Sequence, residues 1–251
     1  MGMTTDPREP VPGDAFGAVL RRCWASGARP GTVFAVLERD DGRVDVEDAA
    51  RYFAGPDGWI PTERWACAQA VGRVLDVGCG AGRHLLALSG AGHDAVGLEP
   101  SAGAAAIARE RGGEVVQATV TQPGIGLGAF DTIMMLGNNL GLLGSRERAP
   151  EVLASLAALA APWARLLGCG MDPYRTADDG HLAYHAWNIE RGRLPGQATL
   201  RVRDGAMATE WFDYLFLSPD ELARLLEDSP WSLSGVEWEG ASYVAVLDHA
   251  A

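Results

Sequence analysis

The chain has 251 residues, 47% of them hydrophobic and 22% charged, which is enough apolar material to bury a sizeable core. Its formal net charge of −12 argues against DNA, tRNA or another polyanion as partner, because such partners are gripped by a basic face. There is no lysine, so every strong cation is an arginine, and imine chemistry or a pyridoxal lysine is excluded.

Residues 1–13 are polar and Pro-rich and predict a flexible tail, without the basic-then-apolar pattern of a secretory leader. From Asp14, a natural N-cap, DAFGAVLRRCW predicts a short amphipathic helix. FAVLERDDGRVDVED (34–48) turns around Asp41-Gly42, DAARYFAGPDGW closes in a Gly/Pro turn, and PTERWACAQAV (61–71) opens a helix on Pro61. Residues 14–71 are therefore expected to form an N-terminal helical cap or lid.

From residue 72 the rhythm becomes strand, helix, strand. RVLDV (73–77) is the first strand, followed by a helix over 82–90 and a strand within 91–99. A helix over 101–112 is capped by Ser101 and stopped by Gly112, and EVVQA (114–118) is the third strand. FDTIMMLG (130–137) is apolar almost throughout, as in a parallel strand covered on both faces. A helix over 145–161 and a strand over 165–172 follow. This alternation predicts an α/β fold with a doubly wound, mostly parallel sheet, and right-handed crossovers then gather the strand ends on one rim.

The last third changes character. Residues 178–192 have helical composition, while 198–204 and 207–217 read as two strands around Gly205. Ser218 with Glu221 makes a capping box for a helix over 218–229, and 231–239 with 241–248 form a closing hairpin. The expected organisation is thus a tail (1–13), a cap (14–71) and an α/β domain (72–251) with a substrate-side insertion at about 173–217.

Cys23, Cys67, Cys79 and Cys169 form no CxxC pair and fit neither a zinc site nor a disulfide framework, which predicts reduced thiols and a cytoplasmic protein. His181 and His185 stand four apart, but no HExxH glutamate accompanies them, so no metal is expected.

The most informative stretch is VLDVGCGAGRHLLAL (74–88), where a strand meets a helix through Gly78, Gly80 and Gly82. Glycines at such a junction answer a demand for positive φ or for close approach to a ligand. The spacing is GxGxG, and Arg83 stands where the dinucleotide fingerprint GxGxxG needs its last glycine. Asp76 before the loop would repel a pyrophosphate but suits an ammonium or sulfonium group. Glu99 ends the second strand, where a carboxylate can accept both hydroxyls of a ribose.

VLDVGCGAG, VGLEPS and FDTIMMLGN together resemble the class I S-adenosylmethionine-dependent methyltransferase family, over about residues 70–172 and more loosely over the C-terminal strands. The resemblance implies a seven-stranded sheet whose final strand inserts antiparallel, with an inserted β-hairpin at 198–217. It implies that Asp76 and the backbone of Gly78, Gly80 and Gly82 cradle the methionine part of S-adenosylmethionine. Glu99 would hold the ribose, and Pro100 would pack near the adenine. Leu136, Gly137 and Asn138 would line the space under the methionine. Where the family often carries an adenine-binding Asp, this chain has Ala118 and Thr119, so backbone or the Thr119 hydroxyl would serve.

The acceptor side is expected to draw on Tyr52, Phe53 and Trp59 from the lid, Asn139 after the fourth strand, and Tyr174, Asn188 and Arg191 after the fifth, with Arg193 an alternative to Arg191 for a carboxylate. His185 is the candidate base, because an unperturbed imidazole titrates near neutrality. The expected function is methyl transfer to a small-molecule acceptor, such as a specialised metabolite, by a monomer or homodimer without membrane or nucleic-acid partners. The alternatives are a non-methylating, cyclase-like reaction on the same fold, a non-catalytic binding module, and a nicotinamide oxidoreductase.

Overall fold

A computed structural model describes residues 9–122 and 126–250. Two sheets organise the chain. The larger contains β4 (Val74–Val77), β5 (Ala95–Leu98), β6 (Glu114–Val116), β7 (Phe130–Met135), β8 (Ala160–Met171), β12 (Trp231–Glu239) and β13 (Ser242–His249), in the order β12-β13-β8-β7-β4-β5-β6. The pairs β4–β5, β5–β6, β4–β7 and β7–β8 are parallel. The final strand, β13, inserts antiparallel between β8 and β12, so the seven-stranded sheet has the expected form.

Both faces of this sheet are covered, which is why its strands read as continuous apolar runs. On one face Leu75, Val77, Ile133 and Met135 pack with Val152 and Leu156 of α5 (Ala149–Ala157) and Leu222 of α7 (Pro219–Leu226). On the other, Val74, Met134 and Leu167 pack with Ala66 of α2 (Pro61–Ala68), Leu85 and Leu88 of α3 (Arg83–Gly90), and Ala105 and Ala108 of α4 (Ala102–Glu110).

The second sheet corrects the picture of an all-helical cap with a separate inserted hairpin. β2 (Phe34–Arg39) and β3 (Val44–Asp48) form a hairpin at Asp41-Gly42, and β2 also pairs with β9 (Gln197–Asp204) from the insertion. β9 folds back on β10 (Met207–Ala208) and β11 (Phe212–Leu215), and β1 (Val11–Pro12) joins β10. Part of the expected tail is therefore a strand, while its residues 1–8 lie outside the described residues. Glu38 cements the joint: its carboxylate accepts from Arg201 at 2.6 Å and from Arg203 at 3.0 Å.

α1 (Ala15–Ala25) lies between this sheet and α4, and α6 (Asp179–Glu190) leads into β9. One boundary differs from expectation. The Ala-rich run expected to stay helical to 161 leaves the helix after Ala157, and Ala160 already pairs with Phe130. Sheet pairing overrides the helix propensity of alanine there.

Candidate functional site

The C-terminal ends of β4, β5 and β7 meet on one rim. After Val77 the chain turns through Gly78, Gly80 and Gly82 at φ 70°, 55° and 82°, all in the left-handed region. Their reasons differ. A Cβ on Gly78 would stand 2.7 Å from the Asn139 amide nitrogen, and one on Gly82 would stand 3.2 Å from Ala108 Cβ. A Cβ on Gly80 would meet nothing within 4 Å, so open space adjoins its backbone, and only φ and that recess call for glycine.

Two acids flank the recess. Asp76 is 1% exposed, and its carboxylate accepts the Leu85 N–H at 3.1 Å. Burial pushes its carboxyl above the usual range. Glu99 is 5% exposed and accepts the N–H groups of Gly80 at 2.8 Å and Ser101 at 2.9 Å, one on each oxygen. Burial pushes Glu99 up to about 7; the two N–H bonds pull it back, and the charges of Asp14 and Asp76 push it further. A carboxylate offers about four lone-pair directions, so after these two bonds Glu99 can still accept a vicinal diol.

These features fit S-adenosylmethionine: a backbone recess at Gly80, a diol acceptor on one side and a buried acid on the other. Glu63, of α2, was not singled out from the sequence, and Arg83 was read only as the break in a dinucleotide fingerprint; the two pair beside the rim. Arg83 reaches Glu63 at 2.6 Å, with side chains 12% and 5% exposed, and lies close to Gly137. The edge of Trp59 packs on neighbouring His84 at 4.6 Å between ring centroids. The sequence offered one signal, the Arg83-His84 pair directly after the glycines.

Leu136 is buried beyond β7, and Gly137 and Asn138 follow at φ 72° and 70°. Tyr214 of β11 donates its hydroxyl to the Asn138 carbonyl at 2.6 Å, and its ring crosses Gly141 so closely that no Cβ fits there. Burial raises the Tyr214 phenol far above its ordinary range, with nearby Tyr52, Cys169 and Glu47 adding to the effect. Tyr52 donates its hydroxyl to Glu47 at 3.1 Å. Tyr214 and Glu47 were missed because the strands carrying them read only as alternating strand residues. The arrangement brings Tyr52 to Tyr214 and Glu47.

The other expected residues are placed as follows. Pro100 is exposed beside Glu99, Ala118 is buried, and Thr119 is exposed with its hydroxyl 3.4 Å from that of Thr121. Phe53 stacks on Trp24 at 5.7 Å and lies under the Arg111 guanidinium. Tyr174 donates to Glu221 at 2.7 Å. Arg191 ends α6 over the Trp187 ring, and Arg193 reaches Thr199 and Asp213.

Four expectations need correction. Trp59 does not close a mouth: it is 4% exposed, and its indole N–H donates to the Ala54 carbonyl. Asn188 offers no surface to a substrate, being 0% exposed and donating to the carbonyls of Pro195 and Gln197, where it ties α6 to β9. Asn139 clamps the rim instead of reaching outward, donating to the carbonyls of Val77 at 2.9 Å and Gly78 at 3.0 Å. His185 is grouped with His181, Arg39 and Glu221, not with the rim acids, and among the described residues no hydrogen bond orients its ring. Burial, then the charges of His181 and Arg39, lower its pKa.

No group of three metal-ligating side chains occurs among the described residues, and no described helix is long and apolar enough to cross a membrane.

Residues 74–162 match the family model of a methyltransferase domain. No curated protein matches the chain. A solved S-adenosylmethionine-dependent methyltransferase from Bacteroides fragilis, in complex with S-adenosyl-L-homocysteine, is 22% identical with a TM-score of 0.80, covering 97% of this chain and 98% of that one. The CcbJ methyltransferase from Streptomyces caelestis is 17% identical with a TM-score of 0.58, covering 79% and 93%. CalS10 from Micromonospora echinaspora, an amino pentose methyltransferase, is 21% identical with a TM-score of 0.51, covering 74% and 86%. These likenesses establish the fold. The domain match adds a likeness to methyltransferases over residues 74–162, about a third of the chain.

Proposed function

We propose that this enzyme transfers a methyl group from S-adenosylmethionine to a small-molecule acceptor of specialised metabolism, acting in the cytoplasm as a monomer or homodimer. The observation that carries the reading is the Glu99 carboxylate, which is fixed by two N–H groups beside the open backbone of Gly80 and keeps lone pairs for a ribose diol. Asp76, Gly78, Gly80 and Gly82 would hold the methionine part, Pro100, Ala118 and Thr119 would border the adenine, and Leu136, Gly137 and Asn138 would floor the reacting end. The cofactor supplies an activated methyl on a sulfonium, so the protein's task is alignment, worth about 7–11 kcal/mol in favourable systems.

Tyr52 and Tyr214 stay protonated under these conditions, because burial raises both phenols. Their single hydroxyl protons are already given to Glu47 and to the Asn138 carbonyl, so toward an acceptor they offer lone pairs and ring surface and not a base. His185 remains the candidate base only for an acceptor long enough to reach α6. The acidic balance of the chain favours a small acceptor over a nucleic acid. The amino pentose acted on by CalS10 illustrates the kind of acceptor this fold takes in specialised metabolism.

Two measurements test the proposal. Calorimetry should show S-adenosylhomocysteine binding that Glu99→Ala weakens; wild-type affinity in that variant removes Glu99 from the ribose site. Metabolite extracts incubated with enzyme and isotopically labelled cofactor should yield a product heavier by one labelled methyl group. A product formed without that gain favours the cyclase-like alternative.

A further inference from the structure

Asp14 was expected only to cap α1, and it does so by accepting the Gly17 N–H at 2.9 Å. It also reaches across to a second helix. One carboxylate oxygen accepts the Ser101 hydroxyl at 2.7 Å, and the other accepts the Gly103 N–H at 2.8 Å. Ser101 in turn donates its own N–H to Glu99. A continuous hydrogen-bond path therefore runs from the N-terminus of α1 through Ser101 to the Glu99 carboxylate and on to Gly80.

The helices are shaped for this. A Cβ on Gly103 would come within 2.7 Å of Gly17 Cα, so glycine at both positions lets the backbones touch. Farther along, Trp24 donates its indole N–H to Glu110 at 2.9 Å, so α1 and α4 run side by side in the same direction. One carboxylate thus serves the N-termini of both helices, where anions are favoured.

We propose that Asp14 is a positioning residue for cofactor binding, holding the Ser101 turn so that Glu99 keeps its diol-accepting oxygens aimed into the Gly80 recess. The proposal rests on the ribose reading of Glu99. It makes the docking of α1, and with it the second sheet, part of the cofactor site. The groups facing Glu99 are Asp14 from α1, Asp76 from β4 and the Cys79 thiol of the glycine loop, with Arg21 facing Asp14 from behind. Removing the Asp14 charge therefore also eases ionisation of Glu99.

The test is calorimetric binding of S-adenosylhomocysteine from pH 5.5 to 9, beside thermal unfolding of the free protein. Asp14→Ala should weaken binding about tenfold at pH 8, and Asp14→Asn, which keeps one acceptor oxygen, by about threefold. In both variants the pH midpoint of binding should move down by about half a unit. Trp24→Phe loosens the far end of α1 and should lower the unfolding temperature without moving that midpoint. Wild-type affinity and midpoint in Asp14→Asn overturn the proposal, as does an equal midpoint shift in Trp24→Phe. If Glu99→Ala binds like the wild type, the ribose reading itself fails, a result distinct from failure of Asp14 alone.

Discussion

The Tyr214 hydroxyl lies 2.6 Å from the carbonyl oxygen of Asn138, and through that bond the second sheet holds the rim of the first. The next residue, Asn139, clamps Val77 and Gly78, so the inserted strand is one step from the glycine loop. Tyr214→Phe removes the hydroxyl and keeps the ring. One such bond is worth about 1 kcal/mol, and the melting temperature should fall by about 2–4 °C in a chain of this size. Cofactor affinity by calorimetry should stay near wild type, while the KM of the acceptor, once identified, should rise.

The ribose reading of Glu99 makes cofactor binding depend on pH. Its folded value of about 7 stands above the ordinary 4.5. The neutral form is favoured in the fold, so its contribution to stability is full below 4.5 and is lost as pH rises through about 7. The cofactor-free protein should lose about 3 kcal/mol between these limits through this group alone. Urea unfolding of wild type and Glu99→Gln at pH 5 and pH 8 measures the difference. A ribose diol selects the ionised carboxylate, so cofactor binding at pH 7 should release a proton, seen as a binding enthalpy that varies with buffer.

The glycines should separate by function. Gly80→Ala forces an L residue to φ 55° but meets no neighbour. It should cost about 1–2 kcal/mol of stability and fill the recess, abolishing S-adenosylhomocysteine binding. Gly78→Ala adds a clash with the Asn139 amide and should lower the melting temperature further. A Gly80→Ala variant that binds normally would show that the recess is not the cofactor's place.

Glu63→Ala leaves the buried Arg83 guanidinium without its partner. Loss of one member of such a pair costs about 3–5 kcal/mol. Thermal unfolding should register this strongly, and Glu63→Gln, which keeps an acceptor, should recover part of it.

Much of this was legible in the sequence because it is local. Strand, glycine turn and helix lie within VLDVGCGAGRHLLAL, and Glu99 follows at the next strand end. The capping box at Ser218 and Glu221 forms as read. What stayed hidden depends on distant partners. β2 and β9 each look like half of an isolated hairpin, and nothing in either names the other. Asn188 and Asn139 carry polar groups that suit a substrate, but the fold engages them with backbone carbonyls. Asp14 reads as a cap for one helix, and its service to a second appears only when α1 lies on α4.

The joint between β2 and β9 also dictates the timing of assembly. Glu38 and Arg201 are 163 positions apart in sequence, so a nascent β2 hairpin must wait through synthesis of almost the entire parallel sheet before its partner strand emerges. Pairing across such separations is slow, because the chain loses loop entropy before the contact forms. Refolding of this chain should accordingly show an early phase that builds the parallel sheet and a later one that docks the N-terminal strands. A nick between residues 39 and 44 would strike the late-forming unit and spare the early one.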